Sequence, residues 1–293
     1  MSNVREEARR ALPALMLVCT ALLFSTGGAA IKATTLSAAQ VAAFRSGVAA
    51  LALFIALPEA RRPWTLGTLL AALAYAGTLM LFIHATKRTT SANAVFLQAT
   101  APLYLLLIGP LVLKEKLRRR DAWMGLLVGA GMALFLLGGN APQATAPDPV
   151  TGNILAAASG LTWALTLTGL RRLASGGTGN ALPVVVLGNL IAMALSLPGA
   201  LPMAMPAWKD VALVVYLGFF QVGMAYWLLT RAIRRVPVFE ASLILLLEPV
   251  SNPLWSWLIH GERMDAWSLA GAACVLAGVV WQAWSARSEP QPS

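Results

Sequence analysis

The chain has 293 residues, of which 58% are hydrophobic and only 12% charged, about half the charged share of soluble domains. With a mean hydropathy of +0.70 and a net charge of +10, this composition excludes an ordinary cytosolic enzyme, a disordered chain and a disulfide-stapled secreted scaffold. One membrane span takes about 20 residues, so the chain has room for many spans and little room for a separate soluble domain.

In chain order, the polar start MSNVREEARR leads into an apolar run at 11–31. No small-residue cleavage site interrupts it, so it reads as a retained first span and not a signal peptide. Further runs follow at 38–57, 64–86, 91–113 and 121–139. Pro58 with Arg61-Arg62-Pro63, and then the charged stretch Lys114–Asp121, punctuate them. Residues 141–149 carry three prolines and read as a linker. Five more runs then occupy 150–170, 180–201, 207–230, 237–259 and 265–285. Runs of this length without period-2 alternation predict helices, because only a helix satisfies its backbone groups within one segment in lipid. The expected fold is all-α and polytopic, with ten transmembrane helices.

The basic residues sit between these runs, not in one stripe with interleaved aromatics, so they read as topology signals and not as a nucleic-acid surface. With a cytoplasmic N-terminus, sixteen Lys/Arg fall inside, among them Arg61, Arg62, Lys114 to Arg120, Arg171, Arg172 and Arg231 to Arg235. Five fall outside: Lys32, Lys87, Arg88, Lys209 and Arg263. The bias predicts that both termini are cytoplasmic. Cys19 and Cys274 lie in apolar runs and read as small core hydrophobes.

The two halves resemble each other. When Pro102 is set against Pro249, Glu115 falls on Glu262 and Lys116 on Arg263. Asp121-Ala122-Trp123 recurs as Asp265-Ala266-Trp267, and Thr20, Phe24 and Gly27 align with Ser159, Trp163 and Thr166. A unit of five spans is odd, so its second copy enters the bilayer inverted, an architecture of secondary transporters. The expected units are 1–140 and 150–293, joined by the linker 141–149, around a central cavity.

These residues, with Leu247-Glu248-Pro249-Val250 and Phe44-Arg45, resemble the EamA type of the drug/metabolite transporter superfamily. The resemblance covers nearly the whole chain; Lys114 departs from its usual glycine. It implies an exporter of amino acids or similar small metabolites, closest to the YddG-like branch that exports aromatic amino acids. The implied location is the bacterial inner membrane.

Polar groups inside apolar spans are the functional candidates. They are Arg45, His84, Asn93, Gln98, Asn189, Gln221, Glu240, Glu248 and Asn252. Helical spacing puts Asn93, Leu97, Thr100 and Tyr104 on one face, and Glu240, Ile244, Leu247 and Ser251 on the aligned face of the ninth span. Tyr75, Leu79, Phe82 and Thr86 form a third face, and Ser159, Trp163 and Thr166 a fourth. The expected substrate-binding set is Thr20, Phe24, Tyr75, Leu79, Asn93, Thr100, Tyr104, Trp163, Thr166, Gln221, Glu248 and Ser251. Aromatic walls with a few oriented polar groups suit an amphipathic solute. With no basic cluster at the midplane, amino acids rank above nucleotide sugars. Quaternary amines and drugs stay open as cargo.

Pro249 cannot donate to the carbonyl of Leu245, so a helix break is expected there. Two roles stay open for Glu248: bonding that break, or serving as a proton or substrate-amine site. Arg45 either snorkels or pairs with Glu248 or Glu240. Glu240 is expected beside Arg234 and Arg235, His84 as a packed residue, and Glu115 and Glu262 as capping or pairing groups. No phosphate-binding loop, zinc motif or nucleophile elbow occurs. The expectation is therefore no catalysis, cofactor or metal, with transport driven by the solute gradient or a coupled proton and a monomer as the working unit. An intramembrane lipid-modifying enzyme is the less favoured alternative.

Overall fold

The computed structural model describes residues 2–61, 63–108, 119–138, 141–175, 182–232, 236, 241 and 244–287. Lys114, Glu115, Lys116 and Glu240 lie outside them. The described residues are helical almost throughout, and the one bridge-like pairing among them joins Gln143 with Ala146.

The first span is two helices, α1 (Ser2–Ser25) and α2 (Gly27–Ala33), separated at Thr26. Next come α3 (Ala38–Ala56) and α4 (Leu66–Thr86). Ser37 and Gln40 form a reciprocal capping box at the start of α3, and Thr65 caps α4, so the first free N–H groups are satisfied locally. The fourth run is also divided, into α5 (Ser91–Gln98) and α6 (Ala101–Ile108). The chain continues through α7 (Arg119–Leu137), α8 (Pro149–Ser175) and α9 (Leu182–Ala200). The eighth run starts as α10 (Trp208–Val215), widens into a π-helix over Tyr216–Met224 and ends as α11 (Ala225–Ala232). Last come α12 (Leu247–His260) and α13 (Ala266–Arg287).

Seven stretches of these helices are long and apolar enough to cross a bilayer, while Asp121–Leu137 and Ala266–Gln282 are shorter apolar segments. The chain is thus an all-helical integral membrane protein. The predicted fourth-span face does not persist as one stripe, because the turn at Ala99 and Thr100 resets the helical register between Leu97 and Tyr104. The expected break at Pro249 is present. A turn stands at Leu246, three residues before the proline, and the Ala99 turn stands three residues before Pro102. Each proline removes the donor that the carbonyl four residues back would have used.

The helices pack in recurring pairs. α4 lies along α8 and α9, α3 along α9, α7 along α13, α1 along α11 and α12, and α5 along α8 and α12. Small residues permit the closest approaches. A Cβ on Gly131 would come within 2.7 Å of the Gly271 carbonyl, and one on Gly271 within 2.9 Å of the Gly131 carbonyl. Backbone therefore meets backbone where α7 crosses α13, the packing expected between helices that share an apolar solvent.

Candidate functional site

Two features stand out against the apolar interior: a cluster of aromatic rings and unpartnered polar atoms, and a buried polar network at one end of the bundle.

The aromatic cluster begins beside the break between α1 and α2. Phe24 meets Tyr226 edge-on at 5.3 Å, and Tyr226 meets Tyr75 edge-on at 5.6 Å. Trp163 and Tyr226 are both partly exposed and pack against the core cluster of α4 and α9. The π-helix adds the next element. Gly218 fits against α3 because it lacks a side chain; a Cβ there would lie 2.7 Å from the Arg45 carbonyl. One extra residue in a turn rotates everything after it by about 100° from the regular helical register. That rotation is why helical spacing alone did not single out Tyr226.

Polar atoms without partners gather around this stack. Arg45 is only 4% exposed, and its Nε and Nη1 have no hydrogen-bond partner. Tyr75 Oη, Asn189 Oδ1 and Gln221 Oε1 are likewise buried and unpartnered. Gln221 Nε2 does donate to the Phe24 carbonyl at 3.4 Å, and Asn189 Nδ2 to the Val185 carbonyl. Tyr75 adjoins Asn189 through the close approach of α9, since a Cβ on Gly188 would lie 2.6 Å from Tyr75 Cδ1. A buried polar atom left without a partner costs roughly 1–3 kcal/mol, so several in one place call for a ligand or water that completes them.

Glu248 stands two residues after the Leu246 turn and is partly exposed. No described residue hydrogen-bonds its carboxylate, so it does not bond the break. Arg45 is too deeply buried to have snorkelled and is not joined to Glu248 by an ion pair. Glu248 shares a face of α12 with Asn252 and Trp255, which donate to the carbonyl and the hydroxyl of Ser25 beside Phe24.

The other expected residues are placed as follows. Thr20 is buried, donating to the Met16 carbonyl and also lying 3.4 Å from that of Ala225. Leu79 belongs to the α4 core. Asn93 bonds Asn153 of α8 and accepts from Ser268 of α13. Thr100 donates to the Leu97 carbonyl, and Tyr104 donates to that of Ala157. Thr166 donates to the Thr162 carbonyl. These groups find their hydrogen bonds within the protein. Ser251 is partly buried on α12. Phe24, Tyr75 and Gln221 come together in the aromatic cluster; Trp163 packs against the same core, and Glu248 stands on the face of α12 that meets Ser25. The cluster's further members Arg45, Asn189 and Tyr226 fall outside the predicted binding set, although Arg45 and Asn189 are among the intramembrane polar candidates.

The polar network lies at the end of the bundle that carries Lys32. Lys32 Nζ is 2.7 Å from Glu262 Oε1, and both side chains are 4% exposed. The same ammonium donates to the carbonyls of Thr89, at 2.7 Å, and Thr145. Glu262 Oε2 accepts from the Ser91 N–H at 3.0 Å. Ser91 Oγ donates to Asn252 Oδ1, whose amide donates to the Ser25 carbonyl. Beside this network Lys87 donates to the carbonyl and hydroxyl of Thr34, and Asp210 accepts from the Thr35 N–H and hydroxyl. Burial pushes the Lys87 ammonium down to about 8; Asp210 opposes that shift and Lys32 adds to it. His84 Nδ1 lies 3.2 Å from Arg88 Nη1. Glu262 is thus a pairing group, as expected, and Lys32 is its partner. Charge counting treats Lys32 as a loop residue and does not reveal that pairing.

Among the described residues no three His, Cys, Asp or Glu side chains come together as a metal site. The geometry thus offers a buried aromatic and polar cluster and, at one end of the bundle, helices tied together by polar contacts.

Comparison with known proteins bears on the family and the fold. The chain is 25% identical over 203 residues to the "Uncharacterized transporter YetK" of Bacillus subtilis (strain 168), a match covering 67% of this chain and 61% of that protein. It is 32% identical over 68 residues to the "Quaternary ammonium compound-resistance protein QacE" of Escherichia coli, covering 23% of this chain and 59% of that protein. The chain therefore matches about three fifths of the length of each of these relatives. A solved crystal structure superposes with a TM-score of 0.65 at 22% identity, covering 96% of this chain and 100% of the other, which supports the fold alone. The EamA-like transporter family model matches residues 11–137 and again residues 150–283, and the chain belongs to that family.

Proposed function

We propose that this protein is a secondary transporter that exports small amphipathic metabolites, amino acids with apolar or aromatic side chains foremost, by alternating access. The proposed arrangement is ten spans in two inverted five-helix units, 1–140 and 150–293, with the linker 141–149 between them. Both termini are cytoplasmic, the membrane is the bacterial inner membrane and one copy suffices.

The observation that carries this reading is the matched pair of helix breaks, each three residues ahead of its proline: Ala99 before Pro102 and Leu246 before Pro249. Discontinuous helices related by an inverted repeat frame the binding sites of many secondary transporters. The packing is compatible with the same two-fold. Exchanging each of the first five spans with the one five later turns the third–sixth contact into the eighth–first, and leaves second–seventh, fourth–ninth and fifth–tenth unchanged. Each of these contacts is present as a helix pair. The family model's two matches also fall one per unit.

In this reading the Lys32 end faces outward and is closed by the Lys32–Glu262 network, so the solute enters from the cytoplasmic side. Release requires that network to part while the opposite end closes. Glu248 is the candidate site for a coupled proton or for the amine of the solute. The test is counterflow in proteoliposomes with a panel of amino acids, nucleosides and quaternary amines. Accumulation of one or more amino acids above the level of empty liposomes is expected; a panel that stays at that level would overturn the reading. The likeness of a short segment to QacE, together with a carboxylate near aromatic rings, favours organic cations as the second reading, which the same panel separates.

A further inference from the structure

Around the aromatic cluster stand two opposite charges, Arg45 and Glu248, that form no ion pair with each other. Arg45 is buried within the membrane-spanning bundle, with two of its three nitrogens unpartnered and no ion pair to any described carboxylate. A permanently charged guanidinium in a low-dielectric site is strongly unfavourable unless something answers it. Glu248 lies one turn before Asn252 and two before Trp255 on one face of α12, and those two side chains bond Ser25 beside Phe24; it is partly exposed and free of hydrogen bonds from described residues. Between α1 and α4, the ring of Tyr226 is held edge-on by Phe24 and Tyr75. On the Arg45 side, Tyr75 Oη, Asn189 Oδ1 and Gln221 Oε1 are also buried and unpartnered.

Building on the transport reading above, we propose that Arg45 and Glu248 select the cargo as a charge-sorting pair. Arg45 takes the carboxylate end of a zwitterionic solute, Glu248 takes its ammonium end, and the Phe24–Tyr226–Tyr75 stack takes the apolar body. Arg45 suits the first role because its planar fork pairs with a carboxylate through two parallel hydrogen bonds. Glu248 and the neighbouring ring faces suit the second, since an ammonium gains from both a carboxylate and an aromatic surface. Neither charge alone specifies a zwitterion. A lone Glu248 would favour organic cations and a lone Arg45 would favour anions. A solute that lacks one charge leaves a buried partner unanswered, which is the condition under which a polar site discriminates most sharply.

The experiment compares three cargoes of one shape in proteoliposome counterflow with the full chain: phenylalanine, phenethylamine without the carboxylate, and 3-phenylpropionate without the amine. Tetraethylammonium is added as a cation control. Wild-type protein is expected to favour phenylalanine over each single-charge analogue by at least about tenfold. Arg45→Gln should collapse the preference over phenethylamine to within about threefold, and Glu248→Gln the preference over phenylpropionate. Arg45→Lys, which keeps the charge and loses the fork, should fall between. Thermal stabilisation of the wild-type protein by the same series provides a readout that depends on no variant folding, and it should rank the zwitterion first. Equal handling of phenethylamine or tetraethylammonium and phenylalanine by the wild type would overturn the pair while leaving transport standing. So would unchanged discrimination in an active Arg45→Gln protein. Movement of no solute at all would remove the transport reading itself, and the pair with it.

Discussion

Lys32 Nζ and Glu262 Oε1 are 2.7 Å apart with both side chains almost fully buried, which ties the end of the first span to the turn between α12 and α13. Such a pair does not act as a simple stabiliser, because desolvating two charges offsets most of their attraction. Removing one partner is a different matter. Glu262→Gln keeps the shape and strands the Lys32 charge, and should cost about 3–5 kcal/mol. Lys32→Met with Glu262→Met should cost far less than the sum of the single changes. Thermal unfolding in detergent of the wild type, Lys32→Met, Glu262→Met and the double variant closes the double-mutant cycle. Additive losses would mean that the two residues do not act as a pair.

Lys87 supplies the pH prediction. Its ammonium is shifted down to about 8 in the folded protein, against about 10.4 in an unfolded chain. Between those values the unfolded chain binds more protons, so stability rises with pH across that window. Below pH 8 the folded protein carries the full penalty of a charged, half-buried ammonium. Melting temperature measured from pH 7.5 to 10 should therefore climb in the wild type relative to Lys87→Met, whose curve lacks this component. Parallel curves would mean that Lys87 titrates as though exposed.

Gly131 and Gly271 set the distance between α7 and α13. A Cβ on Gly271 would stand 2.9 Å from the Gly131 carbonyl and 2.9 Å from Phe135 Cδ2. Neither neighbour can step aside as a free side-chain end would. Gly271→Ala should destabilise the protein by about 1–3 kcal/mol, and Gly271→Leu should abolish a monodisperse peak in size-exclusion chromatography. Wild-type behaviour of the leucine variant would show that this crossing is looser than its geometry.

Much of this architecture was legible in the sequence, for identifiable reasons. Apolar runs of span length have only one way to satisfy their backbone in lipid, so helix positions followed from composition. Pro249 announced the turn at Leu246 because a missing N–H acts in any context. The Ala99 turn before Pro102 obeys the same chemistry, yet it went unread within an uninterrupted apolar run. Asn93, Thr100 and Tyr104 share a face on a regular helical wheel, but that turn divides the wheel, and their hydrogen bonds go to α8, α13 and the local backbone. Tyr226 stayed hidden for a related reason, since the π-helix before it shifts the register by an amount no apolar pattern encodes. The Lys32–Glu262 pair joins residues 230 positions apart, and charge counting places both only at span ends.

Tyr75 separates a structural role from a binding one. Its ring is buried and contacts Tyr226 edge-on, yet its hydroxyl has no hydrogen-bond partner. An unpartnered buried hydroxyl penalises the fold by roughly 1–3 kcal/mol. Tyr75→Phe keeps the ring and removes that penalty, so the melting temperature should hold or rise. If the hydroxyl instead meets the cargo, the same variant should lose about tenfold in apparent affinity, the equivalent of one hydrogen bond of about 1.4 kcal/mol. The two effects run in opposite directions, which no purely structural role for the hydroxyl produces. Measuring melting temperature and counterflow KM on one preparation resolves them, and a lower melting temperature with unchanged KM would place Tyr75 in the packing alone.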